Sequence, residues 1–521
     1  MAWPRSTKPQ PAPSVILSHV CRAWRTLALD SPLLWTKIEA VVPRHSYYAF
    51  PRLKKGLHLC SNPEQSQILI EEENAKWTTD MELVIDSTQE WIRRSRDAPL
   101  SVQFILSNIT RPGPLTKDYI EKLVDILLGV AHRWEEMDFI TGFRDLEPYR
   151  FLFSRILAIA PLRLPILRKL RAGFQVDLRT ANSVSLDAAV KLLQNLGFTL
   201  FETPSLRFLS VTPTWPNFVL ASTPILTVPW SELTTIHLGH KPETGTGSDP
   251  HAVFSRLDTR CLLEVLRPCM SLSSLFFHHR PRRREPEPWE EEPLTSEKVL
   301  FLPSLRSLTL SGSPSPTNLS SYLDAPNLRE LKLLQKPTGL SRETFFGQKQ
   351  RIKAWIEAYG AQIISIELGQ CSVLSKAEFV ECLGRLPVVE ELKIHGESKR
   401  NFRPSIILEP LFEDGVEHEP GEVDDEVLQL LTPEDGGDAC LLPRLRSLDV
   451  VYQDGYPFKE ESLVRFVEAR RVTAHNRIER VSMYDPYNRN VPAGAREELA
   501  RRGVDLMDFT LHLTTDDEYD D

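Results

Sequence analysis

The sequence predicts an α/β chain in which a short N-terminal helical module precedes an irregular solenoid with parallel strands. Three observations carry this. A phrase of spaced leucines recurs between residues 164 and 484, stretches with helical periodicity lie between its copies, and residues 16–41 hold a compact helical signature closed by a proline and a tryptophan. Of the 521 residues 41% are hydrophobic and 26% charged, enough to bury a large core. One compact domain of that length is uncommon, so several domains or an elongated repeat array is expected.

The N-terminal signature reads I-L-S-H-V-C-R-A-W-R-T-L-A-L-D-S-P-L-L-W-T-K-I-E-A-V from Ile16. Leu17, Val20, Cys21, Trp24, Leu27 and Ala28 recur at steps of three and four, which on one helix makes an apolar stripe. Ser18, Arg22, Arg25 and Thr26 fall on the other side. Pro32 stops the helix, because it lacks an N–H and forces the preceding residue out of the α region. Leu33, Leu34, Trp35 and Ile38 form a second apolar group. So short a helix is not stable alone in water, and its stripe is expected to pack on something.

The order V-C-x-x-W-R-x-L-A followed by S-P-x-L-W resembles the C-terminal half of the F-box of the expanded fungal F-box-like families. The matching positions are Val20, Cys21, Trp24, Leu27 and Ala28, with Pro32, Leu34 and Trp35 closing the bundle; with Leu17 they are the candidate adaptor-binding or core residues. The resemblance implies docking on a Skp-type adaptor and, through it, a cullin ubiquitin ligase. The family usually opens with a leucine-proline pair and a further amphipathic helix. Residues 1–14 are instead proline-rich and polar and are expected to be flexible, so either the start is truncated or that helix has been lost.

Residues 46–145 read as a linker of helices and strands. Trp91 to Leu106 reads as helix, turn and strand, and His132 to Phe139 as a helix end and strand. They resemble the stretch between F-box and repeats in the same families.

From residue 146 to 512 a repeat region is expected. L-P-I-L-R-K-L at Leu164, T-P-S-L-R-F-L-S-V at Thr203, L-P-S-L-R-S-L-T-L at Leu302, A-P-N-L-R-E-L-K-L at Ala325, L-P-V-V-E-E-L-K-I at Leu386 and L-P-R-L-R-S-L-D-V at Leu442 vary one theme. Looser copies start at Trp230, Met270, Ile363 and Ile478. The last two apolar residues of a copy, such as Leu308 and Leu310, alternate with polar ones and share one face of a strand, while the earlier Leu305 fills the preceding turn. Helical periodicity separates the strands over Ser185 to Gly197, Leu257 to Met270, Ser375 to Leu386 and Glu460 to Arg471, and Ser375 with Glu378 has the capping-box spacing. Together these resemble leucine-rich repeats of irregular form. Leu305 to Leu328 spans 23 residues but Val389 to Leu445 spans 56, so insertions interrupt the array. They are expected near 241–256, 280–298 and 411–440, with an acidic tail over 513–521. Val427, Leu428 and Leu431 inside the third have the spacing of one helical turn.

The net charge of −9 argues against a general affinity for nucleic acid. Seven cysteines without a C-x-x-C pair suit buried thiols in a reducing cytoplasm or nucleus rather than secretion. No apolar run approaches the roughly 20 residues that span a bilayer, since Arg155 breaks Phe151 to Leu162. Gly245-Thr246-Gly247 lacks the P-loop lysine, and no hydrolase or zinc signature is present. His278-His279 and His237 with His240 lack a third ligand at suitable spacing. No catalytic, cofactor or metal residue is therefore assigned. The expectation is a non-enzymatic substrate receptor for an unknown protein; the alternatives are a repeat scaffold that recruits no ligase, and a hydrolase, which needs a deep polar pocket.

Overall fold

Each copy of the leucine phrase closes a β-turn before its strand begins. The amides of Leu167, Leu206, Leu305, Leu328, Val389 and Leu445 donate to the carbonyls of Leu164, Thr203, Leu302, Ala325, Leu386 and Leu442, at 3.0–3.3 Å. In all six of these turns proline follows the first residue, where its fixed φ pre-sets the turn. The same leucines are buried, and so are the two alternate apolar residues that follow each of them. Each such side chain contributes roughly 1.5–3 kcal/mol on leaving water.

The computed structural model describes residues 16, 19–43, 63–109, 114–143, 150–176, 199–213, 228–239, 259–279, 299–312, 319–334, 342–369, 371–395, 421–433, 440–452, 457–472, 477–484 and 494–514. Leu17, the N-terminal segment, the helix expected over Ser185 to Gly197, and the insertions near 241–256 and 280–298 lie outside them. The chain forms two units, residues 1–272 and 273–521.

In the first unit six strands pair in parallel in chain order: β1 (Lys37–Val42), β2 (Leu100–Ile109), β3 (Trp134–Phe143), β4 (Lys169–Val176), β5 (Phe208–Pro213) and β6 (Thr235–Leu238). Its helices are α1 (Arg22–Asp30), α2 (Pro63–Ser95), α3 (Pro114–Gly129), α4 (Arg150–Ile156) and α5 (Thr259–Leu266). Two expectations change here. Ile38, read as part of one apolar group with Leu33, Leu34 and Trp35, lies beyond their turn: with Ala40 and Val42 it forms the buried face of β1. The sheet therefore starts at Lys37 rather than in the repeat region, and the stretch read as a linker supplies β2 and β3. The 33-residue α2 buries Trp77, Met81, Ile85 and Thr88 along one face.

The second unit runs through β7 (Ser274–His279), β8 (Leu300–Phe301), β9 (Ser307–Gly312), α6 (Leu319–Tyr322), β10 (Leu323–Asp324), β11 (Glu330–Leu334), α7 (Arg342–Tyr359), β12 (Ser365–Gly369), α8 (Lys376–Gly384), β13 (Glu391–His395), α9 (Asp425–Leu431), β14 (Ser447–Val451), α10 (Glu460–Val472), β15 (Arg480–Tyr484), α11 (Ala495–Arg501) and β16 (Thr510–Thr514). Eight of these strands, β7, β9 and β11 to β16, pair in parallel in chain order, while β8 and β10 pair with each other. The residue before each strand donates its amide to the previous turn, as in Arg306 to Ser273, Arg329 to Arg306, Ile364 to Arg329 and Glu390 to Ile364. This continuous ladder sets the register. The insertion expected over 411–440 is not all loop: Asp424 caps α9, and Val427, Leu428 and Leu431 are buried.

The capping box is formed at the start of α8. Ser375 Oγ accepts from the Glu378 amide, and the Glu378 carboxylate accepts from the Ser375 amide and lies 2.8 Å from Lys349 Nζ. Partial burial works to raise the Glu378 carboxyl, but Lys349 and the Ser375 bonds outweigh it and bring it down from 4.5 to about 2. Because the folded-state value is depressed, the stabilisation is complete above the unfolded value and is lost as pH falls through the folded one. Glu378→Gln is expected to cost about 1–2 kcal/mol at pH 7. In urea unfolding at stepped pH, the difference from the parent should shrink from about pH 4.5 downward and close near pH 2.

Candidate partner-binding surfaces

The N-terminal signature divides into an anchor and an exposed face. Pro32–Trp35 forms a 3-10 turn after α1, and Trp35, 1% exposed, donates its Nε1–H to the Ala28 carbonyl at 2.8 Å. Trp91 of α2 meets the Trp35 ring edge-on at a centroid distance of 5.3 Å, and the Arg94 guanidinium lies 4.4 Å from the Trp35 ring centroid. Ala28 and Trp35 thus tie α1 to the C-terminal end of α2.

The remaining apolar positions face outward. Val20 is 62%, Trp24 47%, Leu27 63%, Leu33 74% and Leu34 37% exposed, Cys21 is exposed and Pro32 half-buried. Among the described residues of the stripe, Ala28 alone is buried. Nor is the stripe one helix: α1 starts at Arg22, and Cys21 ahead of it is extended at φ −158° and ψ 174°, with no side-chain cap. Among the described residues between Ile16 and Val41 eight large apolar side chains are exposed: Ile16, Val20, Trp24, Leu27, Leu29, Leu33, Leu34 and Val41. Over the rest of the first unit the described residues add Ile68, Leu83, Leu162, Ile166 and Met270, scattered along the chain.

The outward faces of β11 to β14 carry charged side chains. In the second unit, strand register places Lys332, Glu367, Lys393 and Asp449 on successive strands β11 to β14. Lys332 Nζ lies 3.7 Å from Glu367, Lys393 Nζ 3.7 Å from Glu367 and 4.0 Å from Asp449, and Arg480 3.6 Å from Asp449. His395 Nε2 is 2.7 Å from Glu367 Oε1. Burial works to raise the Glu367 carboxyl, but His395, Lys393 and Lys332 outweigh it, so it lies below the usual range. Each cross-strand pair contributes roughly 0.2–1 kcal/mol. The alternating signs give a charge-balanced surface suited to a polar partner.

The first unit has a different outward face. Lys169 pairs with Glu136, and Arg171 with Asp138 at 3.2 Å, while burial pushes the Asp138 carboxyl up against the pull of Arg171. Phe208 lies between Arg171, 5.4 Å from its ring centroid, and His237, whose ring meets it edge-on at 4.8 Å. A half-buried aromatic flanked by arginine has the composition of an interface anchor.

Other candidates are absorbed by the fold. His278 Nδ1 lies 3.1 Å from Ser311 Oγ, and His240 lies outside the described residues. Cys269, Cys371 and Cys382 are buried free thiols, and burial pushes Cys269 up to about 12 and Cys382 to about 11. An open depression of about 410 Å3 is lined by Ser273, Pro303, Ser304, Arg306 and Asn327. Asn327 Nδ2 there donates to the Pro303 carbonyl. Among the described residues no helix is long and apolar enough to cross a membrane.

No family model matches the chain, and no curated protein matches it either.

Proposed function

We propose that the chain is a non-enzymatic substrate receptor: its N-terminal module docks a Skp-type adaptor and so joins a cullin ubiquitin ligase, and its outward strand faces receive a protein substrate. The observation that carries this reading is the exposed face of Val20, Trp24, Leu27, Leu33 and Leu34, held in place from behind by the buried Trp35. These exposed positions fall largely within the F-box-like signature. In this reading catalysis belongs to other subunits. The buried free thiols suit a reducing cytoplasm or nucleus.

A second reading is a scaffold that binds a protein without recruiting a ligase. The break at Cys21 favours it, because the stripe then does not lie on one helix. Co-purification separates the two. Under the receptor reading a Skp-type adaptor is retained by the full chain and lost by Trp24→Ala with Leu27→Ala, with circular dichroism unchanged. A folded chain that retains no adaptor supports the scaffold.

A further inference from the structure

The residues that lead into the strands form a row along the sheet, each passing its amide to the carbonyl of the one before. In the second unit Ser273, Arg306, Arg329 and Ile364 follow one another in this row. Where other arginines stand at such positions, carboxylates cover them. Arg446 lies between Glu390 and Glu479, at 3.7 and 3.6 Å, and in the first unit Arg168 lies 3.7 Å from Glu135 and Arg207 3.3 Å from Glu232.

Arg306 and Arg329 differ. They stand side by side ahead of the neighbouring strands β9 and β11, both are exposed, and among the described residues no carboxylate pairs with either. Glu330, which follows Arg329, is held by Lys332 at 2.9 Å. Like charges set across neighbouring strands oppose each other, so the pair favours an anion.

The ground around the two arginines is fixed. Arg306 lines the depression of about 410 Å3, together with Ser304 and Asn327. Asn327 Nδ2 donates to the Pro303 carbonyl and the Leu302 amide to the Asp324 carbonyl, each at 2.8 Å, which ties two consecutive turns together. Arg329 gives Nη1 to the Gln362 carbonyl at 3.1 Å, and Gln362 is itself bonded to the Ala325 carbonyl. The Nε and Nη2 edge of Arg329 and the guanidinium of Arg306 are left for an acceptor from outside.

We propose that this pair binds an acidic segment of a partner protein, with one carboxylate on Arg306 and a second on Arg329. The chain carries the same chemistry in the same row, where Glu390 and Glu479 cover Arg446. A guanidinium edge takes a carboxylate through two parallel bonds. In an extended segment, carboxylates two residues apart lie on one side about 6.6 Å apart, within reach of side chains on strands about 4.8 Å apart. A phosphate is the poorer fit, because the amides of Arg306 and Arg329 are committed to backbone carbonyls and cannot cradle it. The site is separate from the N-terminal module, so the inference goes beyond the receptor reading and its test does not depend on adaptor binding.

The test is calorimetric titration of the full chain at low salt with a peptide of glycine and serine that carries glutamate at two alternate positions. Saturable binding with Kd below about 1 mM is expected, and replacing both glutamates by glutamine should weaken it at least about fivefold. Arg306→Gln alone should cost about fivefold, and Arg306→Gln with Arg329→Gln about 20-fold, with the thermal transition kept. Arg446→Gln, in the same row but already covered, should stay within about twofold of the parent. One phosphoserine in place of the two glutamates should bind no more tightly. The proposal is overturned by a glutamate peptide that does not saturate by about 10 mM, by equal affinity for the glutamine peptide, or by an Arg446→Gln loss as large as that of the folded double variant. A phosphoserine peptide that binds about tenfold more tightly would also overturn it, in favour of a phosphate site.

Discussion

Trp35→Ala is expected to loosen the N-terminal module by about 3–5 kcal/mol, the range for truncating a buried tryptophan. Three contacts disappear together: the bond to the Ala28 carbonyl, the edge-on packing with Trp91 and the stacking of Arg94. The Ala28 carbonyl is left without the Trp35 donor. Native-state hydrogen exchange should report this in the amides of α1 and β1, with protection falling by roughly 10² to 10³-fold. Trp24→Ala, which removes an exposed ring, should leave those amides within a few-fold of the parent. Equal losses in the two variants would contradict the division into anchor and exposed face.

The second large effect is expected at Arg470 in α10. This guanidinium is fully buried and donates to the carbonyls of Leu431 at 2.8 Å, Leu442 at 3.0 Å and Leu441 at 2.9 Å. Burial works against its charge. Leu431 is the last residue of α9, where outward carbonyls and the helix dipole favour a cation. Arg470→Ala should cost about 4 kcal/mol, since it leaves several buried carbonyls unpaired and opens a cavity. Arg470→Met keeps much of the volume and should recover only about 1–2 kcal/mol of that. Arg470→Lys cannot span three carbonyls with one ammonium group and should remain well below the parent. Urea unfolding of the four proteins decides: full stability in the methionine variant would show that packing, not hydrogen bonding, is the role of Arg470.

The strands of the second unit were the most legible part of the sequence, because each carries its own turn and its own alternation. Leu305, Leu308 and Leu310 state a turn, a strand and a buried face within six residues, and the looser copies at Ile363 and Ile478 state the same. The strand β1 was harder. Ile38, Ala40 and Val42 do alternate with Lys37 and Glu39, but Ile38 follows Leu33, Leu34 and Trp35 so closely that it reads as part of their group. Most of α2 was missed although Trp77, Met81, Ile85 and Thr88 keep helical spacing. Polar residues such as Glu71, Glu72 and Glu73 dilute that signal. What depends on register was not legible at all: Lys332, Glu367, Lys393 and Asp449 are far apart in sequence and meet only once parallel pairing is set. Arg470 and Arg471 end the helix expected over Glu460 to Arg471, and nothing in their spacing told that both are buried against backbone carbonyls.

The candidate docking residues were legible as a set but not as two classes. Spacing put Val20, Trp24 and Leu27 on one stripe and Trp35 in the apolar group after it, and the F-box resemblance joined all four as candidate adaptor-binding or core residues. Packing separates them, because Trp35 has α2 behind it whereas the other three project away from the unit.

The most direct measurement is an isothermal titration of the full chain with a purified Skp-type adaptor, repeated with Trp24→Ala. The receptor account predicts stoichiometric binding by the parent and a loss of at least about 2 kcal/mol in the variant, the size of an exposed aromatic hot spot. Absence of binding by the folded parent, or equal affinity in parent and variant, would contradict it.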